Sequence, residues 1–456
     1  MSGCAPEVVP ESAVSSGMRF SSRTLGCKVN QVESEQIAAG LLDRGFEAVS
    51  EESADVVIVN TCTVTGEADS KARKAIRHAL ALPNRPRVVV TGCLAALATA
   101  DIEALGDRVV VEPDVANVAE KIAAFADAAI AASPCPGAGG PAHIRVGRGF
   151  HTRAMVKVQD GCDAFCSYCI VPYARGLPRS VALDDVVSEC RALSDWGVRE
   201  VVLTGINLGR YDHAGVRLAD LVSRVAETGI VRLRLSSVEP LDLTDELLDT
   251  LASTPSVCEH LHVPLQSGSD AVLRKMGRTY TTAEYGERIS RARAALPGLA
   301  VSTDVLVGFP GESDDQAEET LGFCRRIGFS RLHVFRYSPR RGTPAAVRPE
   351  QVDAVVRAQR AAKVRALGHD LRVAHARTAC GSVREVLIER VSSDGPESRN
   401  LAEGVTRDYL RVRVPAGRGP ESGAPGSLVR ARLGGIGEDG VAEGVIVAGS
   451  SARVDA

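Results

Sequence analysis

The sequence predicts an α/β protein with a doubly wound N-terminal domain, a partial TIM-like (β/α)6 barrel and a small C-terminal all-β barrel. Three observations predict it. Strand-like apolar runs alternate with helix-compatible stretches from Met18 to about Ile130, and again from Met155 to Tyr337. A Pro/Gly-rich segment at 133–149 separates the two series and reads as a linker. Past Cys380 the helical patterns stop, and short alternating runs between Gly/Pro turns replace them.

Residues 1–17 read as a disordered tail. The N-terminal domain then spans 18–132. Its strands are predicted at Met18–Leu25, Asp55–Asn60, Arg87–Thr91 and Arg108–Val111, with helices at Glu33–Arg44, Glu67–Leu82 and Leu94–Leu105. The second domain spans 150–379. Its six strands are predicted at Met155–Gln159, Glu200–Thr204, Arg232–Ser236, His260–Leu265, Ala300–Val307 and Arg331–Tyr337. A helix-compatible segment follows each of the first five, so chemistry is expected at the strands' carboxyl ends. The third domain spans 380–450 and contains VREVLIERV, YLRVRV, SLVRARL and GVIV.

Composition narrows the function. Of 456 residues, 45% are hydrophobic and 24% charged, which excludes disorder as the main state. The sequence has no secretory signal pattern and no run of membrane-spanning length, so the protein reads as cytoplasmic. The net charge of −3 excludes a polybasic binder; nucleic-acid contact must come from local patches. From Gly322 to Val347 there are six arginines and no acid: Arg325, Arg326, Arg331, Arg336, Arg340 and Arg341. That stripe is a candidate phosphate contact.

The 12 cysteines carry the chemistry. Cys162, Cys166 and Cys169 form C-x3-C-x2-C directly after the first barrel strand. Three thiolates on one loop hold three corners of a cubane cluster and leave the fourth iron open, as inner-sphere chemistry requires. Structural zinc would need a fourth ligand, and none follows closely. Cys27, Cys62 and Cys93 each lie just past an N-terminal strand. In an open α/β sheet the carboxyl strand ends line one crevice, so these three can also converge on a cluster. Cys4, Cys135, Cys190, Cys258, Cys324 and Cys380 fit no ligand motif. GFPGE lacks a Walker lysine, which argues against nucleotide hydrolysis.

The cysteine loop, with Tyr168 before its last cysteine, resembles the radical S-adenosylmethionine enzymes. Taken with GCKVNQVES, NTCTVTGEADSKARK, PLQSGSDAVLRKMGR and STDVLVGFPGE, the chain resembles the methylthiotransferases over about 18–447. The resemblance implies two 4Fe-4S clusters and S-adenosyl-L-methionine. The loop cluster would generate a 5′-deoxyadenosyl radical, and an auxiliary cluster on Cys27, Cys62 and Cys93 would carry sulfur. It also implies a TRAM-type terminal barrel that binds RNA. Lys28 in TLGCKVN and the TCTVT around Cys62 look like the group that acts on N6-threonylcarbamoyladenosine beside the tRNA anticodon. Relatives that act on isopentenyladenosine or on a ribosomal-protein aspartate are the alternatives, as is a non-catalytic RNA-binding iron–sulfur protein. LPRSVAL departs from the group's pattern, in which a second Arg commonly follows the Ser. The resemblance places Tyr168 at the cofactor's adenine and Thr204, Gly205 and Asn207 where relatives hold its amino group; Ser237, Glu239, Gln266 and Asp304, on or just past the third, fourth and fifth barrel strands, are expected to project toward the same cofactor site. The implied partners are tRNA, a reductant and a sulfur source, with no membrane.

Overall fold

The structure, a computed structural model, describes residues 17–129, 152–392, 400–416 and 424–447. The expected tail up to residue 16, the 133–149 linker, Cys4 and Cys135 lie outside the described residues. The chain forms two compact units. One comprises Met1–Leu25, Glu33–Thr61 and Lys71–Ile144; the other comprises Gly26–Val32, Cys62–Ser70 and Arg145–Ala456.

The elements of the N-terminal series are β1 (Arg19–Thr24), α1 (Lys28–Leu42), β2 (Glu47–Ala48), β3 (Val56–Thr61), α2 (Gly66–Ala81) and β4 (Arg87–Gly92), then α3 (Cys93–Leu97), α4 (Thr99–Glu103), β5 (Val109–Val111) and α5 (Val115–Ala129). The five strands form a parallel sheet in the order β2-β1-β3-β4-β5. All six positions of β3 are buried, as helices on both faces require. Val57, Val59, Val88 and Val90 pack with Ile76 on one face. Val56, Ile58 and Val89 pack with Ile37, Leu41 and Ile122 on the other.

The second unit continues with β6 (Ala154–Lys157), β7 (Gln159–Asp160), α6 (Val171–Arg175), β8 (Arg179–Ser180), α7 (Leu183–Asp195), β9 (Glu200–Thr204) and a small hairpin, β10 (Asp212–His213) and β11 (Val216–Arg217). Then come α8 (Leu218–Ala226), β12 (Arg232–Leu235), α9 (Asp245–Ser253), β13 (His260–His262), α10 (Asp270–Met276), α11 (Thr282–Ala295), β14 (Ala300–Val307), α12 (Asp314–Ile327), β15 (Arg331–Arg336) and α13 (Ala354–Thr378). Strands β6, β9 and β12 pair in parallel, as do β13, β14 and β15. Bridges from Leu233 to Val257 and from Ser237 to His262 join the two halves into the expected six-stranded partial barrel.

Past α13 lie β16 (Val383–Ser392), β17 (Leu401–Thr406), β18 (Arg411–Pro415), β19 (Leu428–Ile436) and β20 (Ala442–Ile446). They close as β16-β17-β18-β20-β19, the predicted small barrel. Its β17–β18 turn seals the starting ends of the large barrel's strands. Arg232 donates to the Thr406 carbonyl at 3.0 Å, and Arg234 to the Arg407 carbonyl at 3.0 Å. Among the described residues no helix is long and apolar enough to cross a membrane.

Some predicted elements shift. Helix α1 starts at Lys28, directly after Cys27, and not at Glu33. The predicted Leu94–Leu105 helix divides at Ala98, whose φ of −139° breaks the helical turn. Strand β13 ends at His262 because the chain meets Pro264 and then Gln266, which is left-handed at φ 67°. The two-residue edge strand β2 and helix α5 were not expected.

Candidate radical and sulfur-transfer centre

The cysteine loop leaves the first barrel strand through a backbone that only glycine permits. Gly161 has φ 76°, and a Cβ there would lie 2.1 Å from the Leu177 carbonyl oxygen. The Cys162 amide donates to the Gly176 carbonyl at 3.0 Å, and the Cys169 amide to the Cys166 carbonyl at 2.9 Å. Ser167 fastens the loop to the end of α10, its amide on the Met276 carbonyl at 2.8 Å and its hydroxyl on the Lys275 carbonyl at 2.9 Å. The three cysteines are therefore held by backbone on both sides.

Their donor chemistry fits an iron–sulfur cluster. Burial pushes the Cys162 thiol up and the Cys169 thiol up to about 12, and a bound metal would displace both protons. One guanidinium faces the set: Arg278 Nη1 lies 3.3 Å from Cys166 Sγ. Arg278 also pairs with Glu239 and donates to the Tyr280 hydroxyl at 3.2 Å. Among the described residues, no group of three or more His, Cys, Asp or Glu is arranged to hold a metal ion. A cubane needs no such point, because each thiolate takes a different iron.

Of the residues expected at the cofactor, Thr204, Gly205, Asn207, Ser237, Glu239 and Gln266 lie at or just past strand ends, Asp304 lies within β14 and Tyr168 lies on the cysteine loop. Thr204 closes β9 and is buried. Gly205 has no room for a side chain, since a Cβ would meet Gln159 Oε1 at 2.9 Å. The Asn207 amide donates to the same Oε1 at 2.8 Å, while Asn207 Oδ1 is buried with no hydrogen-bond partner among the described residues. That orphaned acceptor fits a ligand amine. Gln159 also donates to the carbonyls of Asp160 and Gly161, both at 2.9 Å, so it ties the β9 loop to the cysteine loop. Ser237 bridges to His262. Burial pushes the Glu239 carboxyl up, and Arg278 opposes that shift. Gln266 accepts from the Leu306 amide through its carbonyl at 2.8 Å. Asp304 Oδ1 lies 3.3 Å from His262 Nε2. Tyr168 packs edge-to-face on Phe309, ring centres 6.5 Å apart, within a small apolar cluster.

The N-terminal cysteines sit at a topological switch. In the order β2-β1-β3-β4-β5, chain direction across the sheet reverses between β1 and β3, where open α/β sheets bind ligands. Thr24 pairs with Asn60, and Thr61 with Gly92. Cys62 and Cys93 are the next residues after Thr61 and Gly92. Gly26, at φ 120°, makes way for Cys62: a Cβ on it would lie 2.7 Å from Cys62 Cβ. Cys27 Sγ is 3.2 Å from Asn30 Oδ1, and Arg175 reaches the same oxygen at 3.2 Å. Arg175 also pairs with Asp160 at 3.0 Å, next to the cysteine loop. Gln159, Arg175 and Arg278 were not singled out from the sequence. Arg278 ends the motif PLQSGSDAVLRKMGR and Arg175 lies six positions past Cys169, but only contacts reveal their roles.

The arginine stripe divides. Arg325, Arg326, Arg331, Arg336 and Arg341 are exposed, whereas Arg340 is buried and donates to Thr63 Oγ1 at 2.7 Å. Arg331 and Arg336 occupy opposite ends of β15.

Comparisons with known proteins agree with this geometry. Residues 156–324 match the Radical SAM superfamily, and residues 19–111 match the Uncharacterized protein family UPF0004. The threonylcarbamoyladenosine tRNA methylthiotransferase MtaB of Bacillus subtilis is 39% identical, over 85% of this chain and 88% of the relative. The protein of that name from Thermotoga maritima is 34% identical, over 86% and 91%. A tRNA-2-methylthio-N(6)-dimethylallyladenosine synthase of Anoxybacillus flavithermus is 32% identical, over 93% and 82%. Among solved structures, the radical S-adenosylmethionine methyltransferase TsrM of Kitasatospora setae superposes with a TM-score of 0.55 at 16% identity, covering 73% of this chain and 77% of that one. That likeness shows the shared fold. With its loop of three cysteines, its switch-point cysteines and these relatives, the chain belongs to the radical S-adenosylmethionine methylthiotransferase family.

Proposed function

We propose that this enzyme adds a methylthio group to C2 of N6-threonylcarbamoyladenosine in tRNA, next to the anticodon. The observation that carries the reading is the 39% identity, across most of both chains, to a threonylcarbamoyladenosine tRNA methylthiotransferase. Cys162, Cys166 and Cys169 hold the 4Fe-4S cluster that the family uses with S-adenosylmethionine. Cys27, Cys62 and Cys93 hold a second, auxiliary cluster; their places after β1, β3 and β4 support this. Bound together, these groups supply radical abstraction at an unactivated C–H and a sulfur for transfer. The chain's own residues orient them. Asn207 Oδ1 offers an acceptor to the cofactor's amino group, and Gly205 keeps the wall flat. Thr204, Ser237, Glu239, Gln266 and Asp304 line the rest of the approach, and Tyr168 steadies the loop. Arg278 offsets thiolate charge and fixes Glu239. Arg175 ties the Cys27–Asn30 turn to the loop through Asp160. The domains are read as 18–132, 150–379 and 380–450, the last acting as the RNA-binding TRAM barrel. A reductant and a sulfur source complete the reaction.

The test is nucleoside mass spectrometry of tRNA from cells lacking the gene, complemented with wild type or Cys62→Ala. The 2-methylthio derivative of threonylcarbamoyladenosine should appear only with wild type. If only the isopentenyl derivative responds, the substrate assignment is wrong.

A further inference from the structure

The interior of the large barrel is polar below the cysteine loop. Asp304 faces His262. His262 Nδ1 and His260 Nε2 both meet Ser302 Oγ, at 2.9 and 3.0 Å. The His260 ring stacks on Tyr409 of the sealing turn, ring centres 4.8 Å apart. This column borders a cavity of 170 Å³ whose lining includes Lys28.

The lining is cationic. Lys28, Arg331, Arg372 and Arg411 contribute to it, and its two carboxylates are already engaged. Asp408 faces His375 at 3.6 Å, and Asp439 pairs with Arg413 at 2.8 Å. Among the described residues the Lys28 ammonium has no hydrogen-bond or ion-pair partner. His260 is 7% exposed, and its Nδ1 has no hydrogen-bond partner among the described residues. A partly open cavity lined by Lys28 and three arginines, with Lys28 exposed at its edge and an unpaired buried imidazole nitrogen inside, suits an anion.

We propose that this cavity receives the carboxylate of the amino-acid substituent on N6 of the target adenosine, with Lys28 as the specificity-determining cation. The proposal rests on the function proposed above. Adenine C6, which bears the N6 group, and C2 flank N1, so the N6 substituent and the reacting C2–H leave one ring edge in diverging directions. Lys28 follows Cys27 directly, so one short segment handles the sulfur and reads the substituent. An apolar isopentenyl group in the same place would strand Lys28 and the arginines beside hydrocarbon, and that penalty rejects it. A backbone phosphate is the other source of an anion, and it would be read without regard to the N6 group.

The experiment uses the full-length, cluster-loaded enzyme and three hairpin RNAs of one sequence. One carries threonylcarbamoyladenosine, one its carboxylate methyl ester, and one unmodified adenosine. Binding is followed by fluorescence anisotropy, and product by mass spectrometry. Wild type should bind the carboxylate RNA about tenfold or more tighter than the other two. Lys28→Met should erase that preference and leave the unmodified RNA's affinity unchanged; Arg372→Met should weaken it. The wild-type comparison with the ester needs no variant, so a misfolded Lys28→Met does not rescue the idea. Equal binding of ester and acid by an enzyme that converts the acid overturns the cavity assignment alone. Equal weakening of all three RNAs by Lys28→Met, with a shallower salt dependence, assigns a phosphate instead and also overturns it. No product from the carboxylate RNA overturns the substrate assignment, and this inference with it.

Discussion

At Gly161 a single methyl group decides whether the cysteine loop closes. The added Cβ would lie 2.1 Å from the Leu177 carbonyl oxygen and 2.8 Å from that of Gly176, and both are backbone atoms with no side-chain freedom to yield. Left-handed φ adds about 1–2 kcal/mol for any other residue. Gly161→Ala should therefore leave the rest of the barrel folded but lower the iron bound per chain, with a matching loss of S-adenosylmethionine cleavage. Unchanged iron content would show that the loop has slack. Glu35, on α1, makes a different prediction. Burial pushes its carboxyl up to about 7. An unfolded chain releases that proton near pH 4.3. Between those values the folded state holds a proton that the unfolded state has lost, so stability falls as pH rises across the window. Glu35→Gln should then stabilise the protein by about 1–2 kcal/mol at pH 8 and by little at pH 5. Thermal unfolding at the two pH values reads this directly: a gain that is equal at both would contradict it.

Among the elements, β12 shows where sequence patterning misleads. Its residues RLRL alternate as a half-exposed strand would, yet all four are buried. The leucines face the covering helices, while Arg232 and Arg234 point into a polar barrel around Glu200. Glu200 sits 2.8 Å from Arg232 and 3.0 Å from Arg234, all with side chains at most 1% exposed. Both arginines also donate to the β17–β18 turn, so the ion group joins the large barrel to the small one. Glu200→Gln removes the carboxylate shared by two buried guanidiniums, and about 3–5 kcal/mol of stability should go with it. Urea unfolding should show a lowered midpoint, together with earlier exposure of the small barrel to protease. The strands were legible because apolar runs such as DVVIVN and VSTDVLV need two covered faces wherever they lie. The C-x3-C-x2-C spacing was legible because its three cysteines are neighbours in the chain, on one loop. The seal at the barrel's starting ends was not, because it depends on carbonyls of a turn that comes about 170 residues later. Nor was Arg278, whose partners Cys166 and Glu239 lie 112 and 39 positions away.

Charge on the whole molecule bears on how RNA approaches. With a net charge of −3, long-range attraction is weak, and phosphate contact must be local. The terminal barrel offers fewer free cations than its sequence suggests. Glu403 takes Arg413 at 2.7 Å and Arg411 at 3.2 Å, and it also pairs with Arg390. At the reacting mouth of the large barrel, Arg336 ends β15 and Arg341 follows it, both exposed. The segment after them touches the cysteine loop, since the Ala345 amide donates to the Ser167 carbonyl at 2.8 Å. An adenosine brought to that loop carries its flanking phosphates across this rim. The double variant Arg336→Ala, Arg341→Ala should weaken tRNA binding and flatten the plot of log affinity against log salt by about two. Modified and unmodified tRNA should lose affinity equally, because phosphates carry no information about N6. Lys28→Met should do the reverse, sparing the salt slope while removing discrimination. If the rim variant keeps the full slope, the phosphates lie on another face, and the terminal barrel's paired arginines must exchange their carboxylates for RNA when it binds.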